Sequence, residues 1–210
     1  MGPHTRRLMV PGPVGALEVA IDEPSAAPAV GQALICHPHP VHGGTLDNKV
    51  VQTLARAFLQ LGLRCVRFNV RGAGASEGVW DEGRGEVDDA QAVWASQVDA
   101  LPQVPWVLAG FSFGGHVAAQ LHQRLSALGQ PPQRLVLVGP ATANFHLPTV
   151  PAHTLVIHGE ADDVVPLSAT LDWARPQTLP VTVVPGGGHF FHGQLPLLKS
   201  IVLRAWGVSA

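Results

Sequence analysis

The sequence predicts an α/β protein with a mostly parallel central sheet of about eight strands and helices on both faces. Two observations support this fold class. Short apolar runs alternate with segments of helical length through most of the chain, and most of these runs are apolar at nearly every position. Such continuous runs are typical of strands that are buried on both faces, as in a parallel sheet. The length of 210 residues suits one domain, which we place at residues 1–210.

The first two strands are predicted to form an antiparallel pair. The stretches "TRRLMV" (5–10) and "GALEVAI" (15–21) flank the turn-forming "PGPVG" (11–15). After a proline-bearing connector, further apolar runs follow as predicted strands. They are residues 33–36, 65–70, 106–110, 134–139, 154–159 and 181–184.

Helices are predicted between these strands. Val50, Leu54, Phe58 and Leu61 recur at helical spacing, which predicts an amphipathic helix that ends at Gly62. The other segments of helical character are residues 85–98, 114–129, 166–174 and 194–206. Because these segments alternate with the strands, they favour a parallel sheet with helices on both faces.

The composition limits the kinds of partner and compartment. The net charge is −2, charged residues make up 13% of the chain and hydrophobic residues 46%. These values predict a packed core and no electrostatic surface for nucleic acid. No apolar run has the length of a membrane span and no signal-peptide pattern is visible, so we expect no membrane partner and a cytoplasmic location. Cys36 and Cys65 lie in apolar strand-like runs without CxxC spacing, which favours buried reduced thiols.

A serine lies at a predicted turn from a strand into a helix. The residues Gly110–Gly114, "GFSFG", match G-x-S-x-G, with the apolar run 106–110 before them and a helical segment after them. Glycines remove Cβ atoms that would collide in so sharp a turn, and the start of the helix supplies free N–H groups. The pentapeptide alone also fits a glycine-rich turn with a capping serine. Its position between strand and helix favours Ser112 as a nucleophile.

A serine nucleophile needs a base, and the base needs a carboxylate to orient it. Asp162 and Asp163 come just after the predicted strand 154–159, and His189 lies on a glycine-rich loop after the last strand. Taken singly, an aspartate here fits a turn or a helix cap, and a histidine fits a solvated loop. Their joint occurrence in the order serine, aspartate, histidine predicts a catalytic triad. His192 is the alternative base.

Three stretches carry a family resemblance: "CHPHPVHGGTLDNKVV" (36–51), "RFNVRGAGASEG" (67–78) and "GEADDVVP" (159–166). With them the chain resembles the α/β-hydrolase fold over nearly its whole length, and more narrowly the small bacterial hydrolases akin to dienelactone hydrolases and serine esterases. Ser112 stands where dienelactone hydrolases carry a cysteine, so lactone hydrolysis does not follow. Only residues 140–153 separate two strands where larger relatives insert a lid, which predicts a lid-less fold with an open, shallow pocket.

The resemblance also distinguishes the two adjacent carboxylates. Successive residues that leave a strand point in different directions, so Asp162 and Asp163 cannot both face His189. The superfamily pattern resembles H-G-x-x-D, which matches His158 to Asp162 and assigns the triad carboxylate to Asp162. Asp163 is then expected to accept backbone N–H groups in the turn before Pro166, the predicted first residue of the next helix.

The loop "HPHPVHGG" (37–44) is the predicted oxyanion loop. Two of its residues are prolines without an N–H, and by resemblance to the superfamily's "HG-x" loop His39 supplies one oxyanion donor, with Phe113 supplying the other. His37, His39 and His42 also form H-x-H-x-x-H, a possible metal cluster. A metal site would need a carboxylate as well, and the nearby Asp47 is equally plausible as the cap of the following helix. We favour the loop architecture over a metal.

These features predict a serine hydrolase that cleaves a small-molecule carboxylic ester by acyl transfer, without a cofactor or metal. Ser112 attacks, His189 moves the proton and Asp162 orients His189. An aminopeptidase-like enzyme that cleaves amides with the same triad is one alternative. A non-catalytic binding protein that retains the fold is the other. The sequence does not specify the oligomeric state.

Overall fold

The computed structural model describes residues 5–25, 28–101 and 103–207, in which eight strands form one sheet. The strands are β1 (Arg6–Gly12), β2 (Gly15–Asp22), β3 (Gly31–Cys36), β4 (Leu63–Phe68), β5 (Trp106–Phe111), β6 (Arg134–Val138), β7 (Leu155–Gly159) and β8 (Val181–Val184). Their order across the sheet is β1-β2-β4-β3-β5-β6-β7-β8. Strands β1 and β2 are antiparallel, β2 pairs with β4 antiparallel, and β3 to β8 run parallel. The predicted mostly parallel sheet is confirmed.

Helices cover both faces of this sheet. They are α1 (Lys49–Gln60), α2 (Gly85–Val98), α3 (Phe113–Ala127), α4 (Leu167–Ala174) and α5 (Leu195–Ala205). Buried residues of α1 and α5 belong to one hydrophobic core, and those of α2, α3 and α4 belong to the core on the other face. The parallel strands lie between the two cores, which is why β3 and β5 are buried along their whole length.

Strand β4 is also fully buried although it carries two arginines. The Arg67 Nη2 lies 2.7 Å from Asp22 Oδ2, and its Nη1 donates to the carbonyl oxygen of Leu46 at 2.9 Å. Arg64 donates to the side chains of Gln32 and Gln97 at 2.6 and 2.9 Å. Because each guanidinium is paired and hydrogen-bonded, its burial does not leave an uncompensated charge.

The cap of α1 is the residue that follows Asp47, the cap candidate of the sequence. Asn48, not Asp47, is the N-cap, and its side-chain oxygen accepts from the Val50 N–H at 2.9 Å. Asp47 pairs with Arg7 at 2.6 Å and with Arg67 at 3.5 Å. Both side chains can cap a helix. Because Asp47 is engaged in ion pairs with residues distant in sequence, Asn48 supplies the cap.

The connection between β6 and β7, residues 139–154, contains no helix or strand. No lid domain is therefore inserted at this position, as predicted. Cys36 and Cys65 are both buried free thiols, also as predicted. In the described part of the chain, no helix is long and apolar enough to cross a membrane. The cytoplasmic location stays a prediction.

Candidate active site

Ser112 lies between β5 and α3 in a strained backbone conformation, with φ 56° and ψ −119°. A left-handed φ costs a residue with a side chain on the order of 1–3 kcal/mol and is concentrated at functional sites. A Cβ atom at Gly110 would lie 2.0 Å from the carbonyl oxygen of Gly114, and one at Gly114 would lie 2.1 Å from that of Cys36. The two glycines therefore permit the sharp turn and the close approach of α3 to β3, for the steric reason inferred from the sequence.

The structure brings the side chains of Ser112, Asp162 and His189 into one hydrogen-bonded chain. His189 Nδ1 lies 2.7 Å from Asp162 Oδ2, and His189 Nε2 lies 3.0 Å from Ser112 Oγ. A carboxylate can only accept, so Nδ1 carries the proton and Nε2 is the free acceptor that faces the hydroxyl. The three residues are 3–8% exposed, so water competes weakly for these bonds.

Asp162 is held from two sides. Its Oδ1 accepts from the backbone N–H groups of Val164 and Val165 at 2.9 and 2.8 Å, while Oδ2 faces His189. Burial by itself would raise the pKa of this carboxyl, but the hydrogen bonds from His189, Val165 and Val164 outweigh it and lower the pKa. The carboxylate therefore stays ionised at neutral pH.

Asp163 does not have the expected role. Its side chain is exposed and has no hydrogen-bond partner among the described residues, whereas the adjacent Asp162 accepts the turn's N–H groups. Pro166 is the N-cap of α4 and the helix begins at Leu167, one residue later than predicted. The expected capping by Asp163 was wrong, because the inward-pointing carboxylate of Asp162 accepts the N–H groups of this turn.

His158, which the sequence placed only in the H-G-x-x-D pattern, makes a contact beside the triad. The His158 ring is fully buried beneath Asp162, with Nε2 2.9 Å from the carbonyl oxygen of Val165 and 3.4 Å from Asp162 Oδ2. Burial lowers its pKa, so the ring is neutral at neutral pH and its N–H supports the turn that holds Asp162. The H-G-x-x-D pattern contained this histidine, but not its orientation.

His192 does not reach the nucleophile. Its ring is exposed and stacks on Phe190 with ring centroids 5.9 Å apart, while His189 hydrogen-bonds to Ser112. Of the two candidate bases, the structure therefore places only His189 at the hydroxyl.

The predicted oxyanion donors, the backbone N–H groups of His39 and Phe113, have no acceptor among the described residues. Phe113 begins α3, so its N–H has no partner within the helix. The neighbouring Val41 N–H is occupied by the His39 Nδ1 at 3.3 Å. Residues His39 and Phe113 both line the cleft beside Ser112. That their N–H groups bind a substrate oxygen stays a prediction.

The three histidines of this loop have different environments. Both ring nitrogens of His37 are engaged by the backbone: Nδ1 lies 2.6 Å from the Pro38 oxygen and Nε2 lies 3.1 Å from the Val70 nitrogen. His39 and His42 have ring centroids 4.7 Å apart. In the described ranges, no group of three or more histidine, cysteine, aspartate or glutamate residues has the arrangement to hold a metal ion.

The buried His37 predicts a loss of stability in acid. Burial lowers its pKa from 6.5 to about 4 in the folded protein. The unfolded state therefore binds a proton at higher pH than the folded state does, so the free energy of unfolding falls as the pH drops from 6.5 towards 4. The contribution of His37 is about 3 kcal/mol over this window. Replacing His37 by Gln, which keeps an acceptor for Val70, should reduce the slope in urea unfolding measured between these pH values.

His192→Gln is the matched control, because His192 is exposed. It makes the same substitution at an exposed position, so its slope in urea unfolding is the reference for that of His37→Gln. Equal slopes for His37→Gln and the unmodified protein would contradict the assignment of this acid sensitivity to His37.

Two clefts meet at Ser112, in place of the single pocket expected. The His189 cleft has a volume of about 460 Å³ and the Phe145 cleft about 300 Å³. Ser112, His39, His42 and Val164 line both clefts. The His189 cleft is completed by Pro38, Gly43, Gly44, Asn48, His189 and Phe190. The Phe145 cleft is completed by Phe113, Ala141, Asn144, Phe145 and Val165.

Comparison with known families agrees with this geometry. A family model described as "Serine aminopeptidase, S33" matches residues 39–152. The match covers residues 39–44 of the predicted oxyanion loop and the turn at Ser112, and it ends before Asp162 and His189. The assignment of those two residues therefore depends on the contacts described above.

Individual proteins show the same likeness. A serine hydrolase without a lid from Xanthomonas campestris is 37% identical, with a TM-score of 0.87, and the match covers 98% of this chain and 94% of that one. An uncharacterized protein of Rickettsia prowazekii is 29% identical over 86% of this chain and 79% of its own length. A lysophosphatidylserine lipase of Danio rerio is 36% identical over 50% of this chain and 28% of its own length. The chain thus belongs to the serine aminopeptidase S33 family of α/β hydrolases and is a lid-less serine hydrolase of that fold.

Proposed function

We propose that the protein hydrolyses carboxylic esters through an acyl-enzyme on Ser112. The observation that carries the proposal is the hydrogen-bonded chain from Asp162 Oδ2 through the His189 ring to Ser112 Oγ, with bonds of 2.7 and 3.0 Å. It joins a poor nucleophile to a base in the correct tautomer, and the base to an ionised carboxylate.

In the first half of the reaction, Ser112 Oγ forms a bond to the ester carbonyl carbon and its proton passes to His189 Nε2. The carbonyl oxygen becomes an oxyanion, which accepts from the His39 and Phe113 N–H groups. The bond from the carbon to the alcohol oxygen then breaks, and His189 returns the proton to that oxygen. The alcohol leaves and the acyl group stays on Ser112.

In the second half, water takes the place of the alcohol. His189 Nε2 accepts a proton from the water as its oxygen attacks the acyl carbon, and the same N–H pair receives the oxyanion. The Ser112–acyl bond breaks, Oγ regains the proton and the carboxylic acid leaves. One ester and one water give one acid and one alcohol. Asp162 keeps its charge throughout and balances the imidazolium that forms at His189.

A non-catalytic binding role accounts poorly for the same features. The strained φ of Ser112 costs stability that a packed scaffold has no reason to retain. A packed scaffold also has no reason to bury a carboxylate next to an imidazole that faces a hydroxyl, whereas active sites use such pairs. Strain and a buried polar chain at one cleft support catalysis.

The family description makes an aminopeptidase the second candidate. Such an enzyme must bind the free ammonium of its substrate, and an ammonium in an apolar cleft without a carboxylate is costly. No aspartate or glutamate among the described residues lines the His189 cleft or the Phe145 cleft. The similarity to a lysophosphatidylserine lipase, whose name denotes an ester-cleaving enzyme, also favours esters.

Four substrates test the choice between ester and amide and between neutral and ammonium-bearing acyl groups. They are p-nitrophenyl butyrate, butyryl p-nitroanilide and their 2-amino counterparts, which share the carbon skeleton. We expect p-nitrophenyl butyrate to be cleaved best, and the added ammonium to lower kcat/KM by about 100-fold or more. Spontaneous hydrolysis is measured without enzyme and subtracted.

EDTA in the same assay is the control for metal chemistry. The rate should be unchanged, because none of the proposed steps uses a metal. Faster cleavage of 2-aminobutyryl p-nitroanilide than of p-nitrophenyl butyrate would replace the esterase proposal with the aminopeptidase. Loss of activity with EDTA and its recovery with zinc would return His37, His39 and His42 to consideration as ligands.

A further inference from the structure

The two clefts at Ser112 are lined by different chemistry. His189 and Phe190 line only the His189 cleft, and Phe113 and Phe145 line only the Phe145 cleft. An ester has two parts that diverge from the attacked carbon, the acyl group and the alcohol. Each cleft can therefore hold one part of the ester. The step in which His189 protonates the leaving alcohol indicates which cleft holds the alcohol.

The position of the acid catalyst orients the substrate. In the proposed function, on which this inference rests, His189 Nε2 must reach the alcohol oxygen to protonate it as it leaves. The alcohol therefore lies on the side of Ser112 that His189 lines. The acyl group stays bonded to Oγ while the alcohol occupies the His189 side, which leaves the acyl group the other cleft at Ser112, lined by Phe113 and Phe145.

We propose that the Phe145 cleft binds the acyl group, the His189 cleft binds the alcohol, and Phe145 limits the length of the acyl chain. The cleft volumes of about 300 and 460 Å³ make the alcohol the larger part of the substrate. The substrate class is then an ester of a short, uncharged acid with a bulkier apolar alcohol.

Phe145 is held firmly enough to act as a wall. Its ring is half-buried and packs on Phe113 and His116, with centroid distances of 5.1 and 5.0 Å. His116 is fixed in turn, because its Nδ1 lies 3.2 Å from the His146 oxygen. Aromatic contacts of this kind restrict the ring to one position.

Behind Phe145 lies a third cleft of about 600 Å³ that shares Asn144 and Phe145 with the acyl cleft. Charged side chains line it, among them Glu82, Arg84 and Arg124. Phe145 thus lies between the smaller acyl cleft and a larger cleft that charged side chains line. Removing its ring would join the two and give a longer acyl chain room to extend.

The His189 cleft is suited to a flat or bulky apolar alcohol. The Phe190 ring is 42% exposed and stands edge-on to His189, with centroids 5.1 Å apart and an interplanar angle of 83°. Gly43 and Gly44 form the opposite part of the lining without side chains. The exposed face of Phe190 can stack on an aromatic alcohol while His189 reaches its oxygen.

Phe145→Ala and Phe190→Ala test the assignment with two substrate series. The acyl series runs from p-nitrophenyl acetate to p-nitrophenyl decanoate, and the alcohol series runs from ethyl butyrate to 2-naphthyl butyrate. Phe145→Ala should raise kcat/KM for octanoate relative to acetate by about tenfold or more. Phe190→Ala should lower the preference for 2-naphthyl over ethyl butyrate by about tenfold. Each variant should leave the other ratio within about twofold.

Phe145→Leu is the control for a general loss of packing. The melting temperature of every variant is measured for the same reason. Phe145→Leu should shift the acyl preference in the same direction by less. If Phe145→Ala changes the alcohol series and Phe190→Ala the acyl series, or if both change both series, the assignment is overturned. No hydrolysis of either series by the unmodified protein would overturn the proposed function itself, a result distinct from a wrong assignment of the clefts.

Discussion

Ser112→Ala should lower kcat/KM for p-nitrophenyl butyrate by about 10⁴-fold or more and abolish labelling by a fluorophosphonate probe. The physical reason is the loss of the atom that forms the acyl bond. His189 and the oxyanion donors remain, so only the weak catalysis that they supply to a water molecule is left. Labelling is read by mass spectrometry of the intact protein and hydrolysis by release of p-nitrophenol.

Ser168→Ala is the matched control, since Ser168 is an exposed serine on α4. It should be labelled and active like the unmodified protein. The melting temperature of Ser112→Ala should change little, because alanine keeps the Cβ at the strained position and the hydroxyl makes one hydrogen bond. A folded Ser112→Ala protein that still reacts with the probe would show that another residue is the nucleophile. An unmodified protein that is folded but never labelled would support the binding-protein alternative.

Asp162→Asn should lower turnover by roughly 10⁴-fold while the fold is kept. Asp162 Oδ1 accepts hydrogen bonds from the Val164 and Val165 N–H groups at 2.9 and 2.8 Å. In Asp162→Asn the side-chain oxygen of Asn must accept these two bonds. The amide NH₂ is then directed at His189 Nδ1, which must become an acceptor. The ring proton moves to Nε2, and that nitrogen can no longer take the proton of Ser112.

Asp163→Asn changes the same functional group one residue away and is the control. Asp163 is exposed and without a hydrogen-bond partner in the described part of the chain, so both turnover and stability should remain close to those of the unmodified protein. Steady-state kinetics and thermal unfolding of both variants decide the matter. Full activity in Asp162→Asn together with an inactive Asp163→Asn would mean that the triad carboxylate is misassigned.

The types and limits of the elements could be predicted from the sequence with errors of one or two residues. The helix predicted at 85–98 is α2, and the strand predicted at 106–110 is β5, which extends to Phe111. The strand predicted at 65–70 is observed as Leu63–Phe68. These predictions succeeded because apolar periodicity and turn-forming residues act over a few neighbouring positions.

The errors concern choices between adjacent residues. Asp47 and Asn48 can both cap a helix, and Asp163 is as good a turn residue as Asp162. Asp47 is engaged by Arg7 and Arg67, so Asn48 supplies the cap. Asp162 was correctly assigned to His189, but it also accepts the turn's N–H groups that Asp163 was expected to accept. Such a choice is not encoded in local propensity.

From the amino-acid sequence alone we could infer that strands and helices alternate, that a serine lies in a glycine-flanked turn, and that an aspartate and a histidine follow later strands. Hydrophobic periodicity and the steric needs of tight turns are local properties, so they can be read from neighbouring residues. The strand order, which places β3 between β4 and β5, became visible only in the folded protein. The tertiary structure also joined Ser112 to His189, 77 positions apart, and divided the space around them into two clefts. These features arise where side chains from distant segments pack against one another, and no short stretch of the sequence contains that geometry.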